Sequence, residues 1–555
     1  MNVDVRLSDL MQLIGQDLPL EVLEDRLFLL KCEIDQVVND IVTIEVNPDR
    51  VDMLSTEGIA RALRGFLGLE GGAPSYPVKK STWQAIVDSS VSAIRPYLAC
   101  AIVRTISLDD DLIAELMQLQ ERLTGTFGRN RKRASIGLYV LDLIKPPIHY
   151  TTASPNEIRF PPLEYEEVMT AREILRVHPK GQEFGPIIRN HPRYPVLLDA
   201  KNQVLSLPPV INSNDLGRIF ETTKNLFVEV TGTHKLTTLQ SLNIMVAALA
   251  DRGGRLEDVE VVYSEHRERL PDFSLQERQV ALEYIRRMIG YDFDGTTVKE
   301  ALSRMRINSA VQANNVQVGI PAYRVDILHD VDVVEDIAIG YGYDRIEPTL
   351  PKTMTVGRAL PLSRLCQAIR DLMVGLGYQE IRNYVLTNTR VLFDQMNLST
   401  KSVVEIENPK SMEYHVVRNS LLPGILAFLS ENTAQELPHR VFEVGDVVLI
   451  DPQAETCTQT LPYLAAATVN SRVDITVLKA EIMTFLGNLG LTGKVKSITH
   501  GSFIEGRVAS LHVGRKKIGY FGEIHPMVLQ NFGIEAPCVA FELVILEDWI
   551  NPAPE

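Results

Sequence analysis

Cysteine is scarce: five thiols, Cys32, Cys100, Cys366, Cys457 and Cys538, are scattered over 555 residues with no CxxC pair and no histidine nearby at zinc-finger spacing. That usage leaves a reduced cytosolic compartment as the expectation. No apolar run approaches the length of a membrane span. The start, Met1-Asn-Val-Asp-Val-Arg6, lacks the charged-then-apolar pattern of a signal peptide. A soluble cytoplasmic protein is therefore predicted. Positive charge is also short, since 56 Lys plus Arg stand against 71 Asp plus Glu for a net −15. Any nucleic-acid contact must then come from local basic patches, against the global charge. Walker and Rossmann glycine patterns, HExxH and a Ser-His-Asp order are missing, so conventional kinase, dehydrogenase and hydrolase readings lack support. No internal repeat or low-complexity tract occurs.

What is present is the composition of an ordinary globular protein, 45% hydrophobic and 23% charged, and nothing in it points to disorder. The length exceeds what one core supports and predicts three or four domains. Residues 1–90 show two helical patterns flanking a strand, Ile41–Val46. Ser55 is placed to cap a helix over 56–67 with Ile59, Leu63, Phe66 and Leu67 inward. Gly71, Gly72, Pro74 and Pro77 mark a linker. Residues 91–265 read as mixed α/β, with helices over 110–123 and 236–249 and strands over 134–141, 204–212 and 227–230. Residues 272–348 form a small module with helices over 275–289 and 297–305 and a strand ending at Ile320. Residues 356–555 open with a helix over 362–376 and become strand-rich, at 403–406, 440–449, 461–469, 509–513 and 538–543.

Three constellations carry chemistry. The run Gly128-Arg-Asn-Arg-Lys-Arg133 is the densest basic stretch; its arginine forks suit phosphate oxygens, or it is a solvated loop. Asn212 with Ser213, and Thr231 with Thr233, put amides and hydroxyls at strand ends, where ligand groups or ordinary turns both occur. Around 330–341 the apolar period becomes helical while Asp332, Glu335 and Asp336 fall at i, i+3 and i+4, with Asp326 just upstream. Such carboxylates suit magnesium, which takes oxygen ligands; the bland alternative is a helix N-terminus favouring negative charge.

Four segments carry a resemblance: Asn47-Pro-Asp-Arg-Val-Asp-Met-Leu-Ser55 with Gly58 and Arg61, Arg324-Val-Asp326 through Tyr341-Gly-Tyr343, Arg440-Val-Phe-Glu-Val-Gly445, and Gly522-Glu-Ile-His-Pro526. Together they resemble the β subunit of phenylalanyl-tRNA synthetase, of the archaeal and eukaryotic type, over nearly the whole chain and in order. The resemblance implies a multidomain α+β protein: an N-terminal α/β domain (1–90), an α/β editing domain (91–265), a small helical module with the acidic helix (272–348) and a class II synthetase-like antiparallel domain (356–555). It implies an (αβ)₂ heterotetramer in which the α subunit charges tRNA(Phe) using ATP, phenylalanine and magnesium. The last domain would be non-catalytic. Arg440-Val-Phe-Glu443 looks like a remnant of a class II motif, while Ala540-Phe-Glu-Leu-Val-Ile-Leu-Glu-Asp548 lacks the arginine expected near ATP.

For the 91–265 region the resemblance implies hydrolysis of tyrosine mischarged onto tRNA(Phe). Such proofreading is needed because an apolar pocket rejects a near-isostere with one extra hydroxyl only weakly. By position, Gln120, Glu121, Arg131, Leu197, Ser206, Asn212, Glu229 and Thr231 would form the pocket, with Arg129, Lys132 and Arg133 guiding the tRNA 3′ end. The chain departs from the family twice, with Gly137-Leu-Tyr-Val140 where Gly-x-His-Asp is usual and Glu229 where aspartate is usual. For Asp326, Asp332, Glu335 and Asp336 the implication is magnesium shared with the α subunit. The rival readings are a stand-alone tRNA-binding or deacylating module and a scaffold subunit whose editing pocket is dead.

Overall fold

The computed structural model describes residues 1–550 apart from 352 and 354, and the chain forms two compact units, Met1–Leu350 and Pro351–Glu555. The last five residues of the predicted 356–555 domain lie outside the described residues.

In the first unit, alternation along Ile41–Val46 turns Val42, Ile44 and Val46 inward, and the strand becomes the centre of a three-stranded antiparallel sheet between Asn2–Arg6 and Cys32–Val38. Two helices, Leu7–Ile14 and Leu20–Leu29, pack beside it. Ser55 does cap Thr56–Phe66: its hydroxyl accepts from the Gly58 amide at 3.2 Å, and Ile59, Leu63 and Phe66 are buried.

An eleven-stranded mixed sheet follows. Its middle strand, Arg255–Val262, runs parallel to Gln84–Val87 and antiparallel to Tyr97–Arg104. From there Leu226–Gly232 pairs with Tyr97–Arg104 on one side and Ala134–Val140 on the other. The opposite arm ends in Tyr194–Leu198, Val204–Leu207 and the short Ile211–Asn212. Leu226–Gly232 is buried along its whole length, as expected of a strand covered on both faces, here partly by the long helix Lys235–Asp251. Thr231 is the penultimate residue of this strand and is fully buried. The 204–212 stretch is two strands, interrupted at Pro208-Pro209, where neither proline has an N–H for the ladder.

Within 272–348 the predicted first helix is half wrong: Gln276–Ala281 is a strand and only Leu282–Ile289 is helical. Six residues pair antiparallel with Asn315–Ile320, and this ladder overrides the helical propensity of Gln276-Glu-Arg-Gln279. The acidic helix runs Asp330–Tyr341, with Val333, Val334, Ile337 and Ala338 buried.

The second unit is a seven-stranded sheet, antiparallel except where Gln379–Glu380 joins His439–Ile450. Helices Pro361–Gly375 and Ile475–Asn488 share one core with the sheet, and Leu422–Glu431 and Pro526–Phe532 share a second. Residues 403–406 are not a strand; only Glu405 bridges to Val416. Val403 instead packs with Leu392, Phe393 and Val416 in a small separate cluster, which explains its apolar pattern.

Candidate functional site

The helix Asp110–Gly125, the strand Ala134–Val140 and the turn between Val204–Leu207 and Ile211–Asn212 converge on a cavity of about 260 Å³. Gln120, Glu121, Arg131, Ser206, Asn212 and Glu229 line it. Two of the sequence-derived residues do not: Leu197 is fully buried behind Ser206, its cross-strand partner, and Thr231 is fully buried with its hydroxyl and carbonyl oxygens engaged by Arg95.

The rim is ionic. Arg131 donates to Glu121 Oε1 at 2.7 Å and to the Val210 carbonyl at 2.9 Å, and its guanidinium lies 4.0 Å over the Phe184 ring. Gln120 donates to the Ile136 carbonyl at 2.9 Å, which fixes its side chain against the wall. Arg129 and Lys132 are exposed and Arg133 is half-buried, outside the cavity proper.

The floor is a buried polar cluster. Tyr139 Oη donates to Glu229 Oε2 at 3.0 Å, with Asn212 Oδ1 at 3.3 Å. Burial pushes the Glu229 carboxyl up to about 7, and drives the Tyr139 phenol well above its ordinary range. Glu229 Oε1 and Ser206 Oγ have no hydrogen-bond partner among the described residues. A buried polar atom left unpaired costs on the order of 1–3 kcal/mol, so these two favour a ligand or water that bonds them.

Arg95, His178 and Lys180 escaped the sequence reading. Arg95 is 1% exposed and donates to the Arg131 and Lys132 carbonyls, Ser135 Oγ, and the Thr231 hydroxyl and carbonyl oxygens. It fastens a loop in which Arg129, Asn130 and Arg131 all take left-handed φ of 51°, 49° and 61°. Such a run costs non-glycine residues about 1–2 kcal/mol each and persists only when surroundings impose it. A lone arginine 34 residues before the loop gives no local signal. His178 lines the cavity, but its Nδ1 accepts from the Lys180 amide at 3.2 Å, which leaves Nε2–H to donate to the Leu163 carbonyl at 3.2 Å. With both nitrogens engaged it has no lone pair for a substrate proton.

The acidic helix is arranged differently from the sequence expectation. Arg324 makes a fork onto Asp326, at 2.9 and 2.6 Å, and reaches Asp336 at 2.7 Å. Burial pushes both carboxyls up; at Asp326 the guanidinium outweighs it and holds the group down, while at Asp336 burial wins. Asp332 accepts the Leu328 and His329 amides at 2.7 and 2.6 Å, and Glu335 takes Lys31 at 3.1 Å. The four acids thus serve an arginine, a helix start and a lysine. Among the described residues no three His, Cys, Asp or Glu side chains converge as a metal-ligand set.

In the second unit Arg440 donates to Glu481 at 2.6 Å and lies over the Tyr378 ring, and Glu443 is buried against Arg418 at 2.6 Å and Asn383 at 2.7 Å. A separate cleft of about 890 Å³ is lined by Arg382, Tyr384, Arg390, Tyr414 and Arg418, and Arg440 is not part of it.

Comparison with known proteins adds to this geometry. A family model described as the phenylalanyl tRNA synthetase beta chain CLM domain matches residues 346–545, and one described as the tRNA synthetase B5 domain matches 278–343. The chain is 42% identical over 547 residues to the phenylalanine–tRNA ligase beta subunit of Pyrococcus horikoshii, covering 98% of each chain. It is 38% identical to that of Archaeoglobus fulgidus, covering 97% of this chain and 96% of the relative. A crystal structure of an N-terminal fragment of the Pyrococcus horikoshii phenylalanyl-tRNA synthetase beta subunit superposes with a TM-score of 0.60 at 41% identity, over 61% of this chain and 99% of the fragment.

Proposed function

The chain belongs to the family of phenylalanine–tRNA ligase β subunits, and on that premise we propose that it proofreads tRNA(Phe) by hydrolysing a mischarged tyrosyl ester in the cavity between Gln120 and Glu229. It is a ligase subunit that acts as part of a complex, and the family name implies an α partner, which in this reading holds the ATP-dependent charging site. The assembly we propose is the (αβ)₂ heterotetramer, working in the cytoplasm.

The observation that carries the proposal is the floor of the cavity: two buried polar atoms, Glu229 Oε1 and Ser206 Oγ, have no hydrogen-bond partner among the described residues and face a space of about 260 Å³. A tyrosyl hydroxyl would pair them; a phenylalanyl ring would leave them as they are. Hydrolysis there needs an attacking water held in place, and Asn212, Gln120 and the Arg131–Glu121 pair supply the polar wall for it. Arg129, Lys132 and Arg133 would meet the phosphates of the acceptor end.

Magnesium enters with ATP at the partner. A second ion on Asp326, Asp332, Glu335 and Asp336 requires ligands from the α subunit, because only Asp332 and Glu335 are free of the Arg324 guanidinium. The test of the function is the time course of tyrosyl-tRNA(Phe) hydrolysis by the assembled complex against the α subunit alone. Hydrolysis in the complex only is expected; equal loss in both would favour a scaffold with a dead pocket.

A further inference from the structure

We propose, on the hydrolytic reading above, that Tyr139 is the positioning residue that makes the cavity select a hydroxyl-bearing side chain. Glu229 faces Gly137 across the antiparallel pair of Leu226–Gly232 with Ala134–Val140. The space over Gly137 is what the phenol and the carboxylate share: a Cβ there would overlap the Tyr139 hydroxyl and lie 2.6 Å from Glu229 Oε2. The Tyr139 ring is fully buried and packs against Phe227 with centroids 6.1 Å apart, so the phenol oxygen has one place to be.

A phenol has one proton. Tyr139 gives it to Glu229 Oε2 at 3.0 Å, the shorter of its two contacts, and Asn212 Oδ1 at 3.3 Å is the competing acceptor. The bond ties one carboxylate oxygen and fixes the rotation of the group. Among the described residues Glu229 Oε1 then has no partner in hydrogen-bonding geometry, with the Thr231 hydroxyl near the same carboxyl, and Ser206 Oγ lies near the phenol without such a partner either. An entering hydroxyl can donate to Oε1 and accept from Ser206. A benzyl side chain can do neither and leaves both buried atoms unpaired, and sites that hydrogen-bond a substrate hydroxyl discriminate strongly for this reason. Without the Tyr139 hydroxyl, Glu229 presents two interchangeable oxygens on a carboxyl free to turn, and the preference weakens.

The experiment compares deacylation of tyrosyl- and phenylalanyl-tRNA(Phe) by wild-type and Tyr139→Phe complexes. The variant keeps the ring and loses only the donor. The kcat/KM ratio for tyrosyl over phenylalanyl ester is expected to fall at least about tenfold, carried by KM for the tyrosyl substrate. The pH midpoint assigned to Glu229 is expected to rise, since the donated bond helps hold that carboxyl down; Arg95, Cys100, Tyr139 and Tyr150 are the titratable groups around it. Gly137→Ala, whose Cβ crowds both the phenol and Glu229 Oε2, should lower the tyrosyl preference as well. A third arm needs no variant: L-tyrosine amide should inhibit wild-type hydrolysis at least about tenfold better than L-phenylalanine amide. An unchanged ratio in Tyr139→Phe, an equal loss on both esters, or equal inhibition by the two amides overturns the assignment of Tyr139. A wild-type complex that leaves tyrosyl-tRNA intact overturns the hydrolytic reading itself and is told apart because the wild-type arm fails.

Discussion

The Arg95 guanidinium donates to the Arg131 carbonyl oxygen at 2.9 Å, and the same group holds the Thr231 carbonyl at 2.6 Å. One buried cation thus joins the basic loop to the strand that carries Glu229. Arg95→Lys keeps the charge but cannot make the five contacts of the planar fork. It should loosen residues 129–133, seen as faster proteolysis there, and raise KM for tRNA in deacylation several-fold with kcat little changed. Unchanged proteolysis and KM would mean that the loop holds its left-handed turns without Arg95.

Glu229 makes stability depend on pH in a direction opposite to most carboxylates. Its folded carboxyl titrates at about 7 against 4.5 in the reference state. Folding therefore takes up a proton between those values, so the group's contribution is fully present below about pH 4.5 and is lost as pH rises through 7. The span corresponds to about 3 kcal/mol. Glu229→Gln should flatten the stability–pH curve between pH 5 and 8 relative to wild type, measured by urea titration of the chain; parallel curves would place the Glu229 titration elsewhere.

Arg324 neutralises two buried acids at once, and its removal strands both. Arg324→Met is expected to cost about 3–5 kcal/mol at pH 7, the usual penalty for leaving one side of a buried ion pair. The loss should shrink as pH falls and Asp326 and Asp336 protonate. A urea midpoint that is unchanged at pH 7 would show that the fork is dispensable.

The helix start offers the cleanest probe of the proposed shared ion. Asp332→Ala with Glu335→Ala removes the two acids that Arg324 does not hold. The expected result is weaker α–β assembly, or a higher magnesium concentration needed to reach it, by analytical ultracentrifugation. Assembly unaffected across a magnesium series would reduce these residues to a helix cap and a salt bridge with Lys31.

Much of this was legible in the chain because the deciding interactions are local. Ser55 caps the helix it precedes, Ile41–Val46 alternates as a half-buried strand must, and the acidic helix shows its buried stripe. Legibility stopped where a distant partner decides. Gln276–Ala281 is a strand because Asn315–Ile320 pairs with it, about forty residues on, which the order of helix-favouring residues cannot show. The acids of 326–336 were readable as a constellation, but not that Arg324, two residues before Asp326, would claim two of them. At the cavity, Gln120, Glu121, Arg131, Ser206, Asn212 and Glu229 came from the resemblance, not from spacing, since they lie on five separate segments. Arg95 was invisible for the same reason, and Tyr139 stood out only as a departure from the family pattern.

Asn212 touches the Tyr139 phenol and the cavity while lying outside the second unit altogether, so it separates proofreading from charging. The central claim is tested most directly by measuring tyrosyl-tRNA(Phe) hydrolysis and phenylalanine charging side by side in wild-type and Asn212→Ala complexes, with Glu121→Ala as a second variant. Hydrolysis should fall at least about tenfold in both variants with charging within about twofold of wild type. Hydrolysis that persists undiminished in both variants would contradict the account.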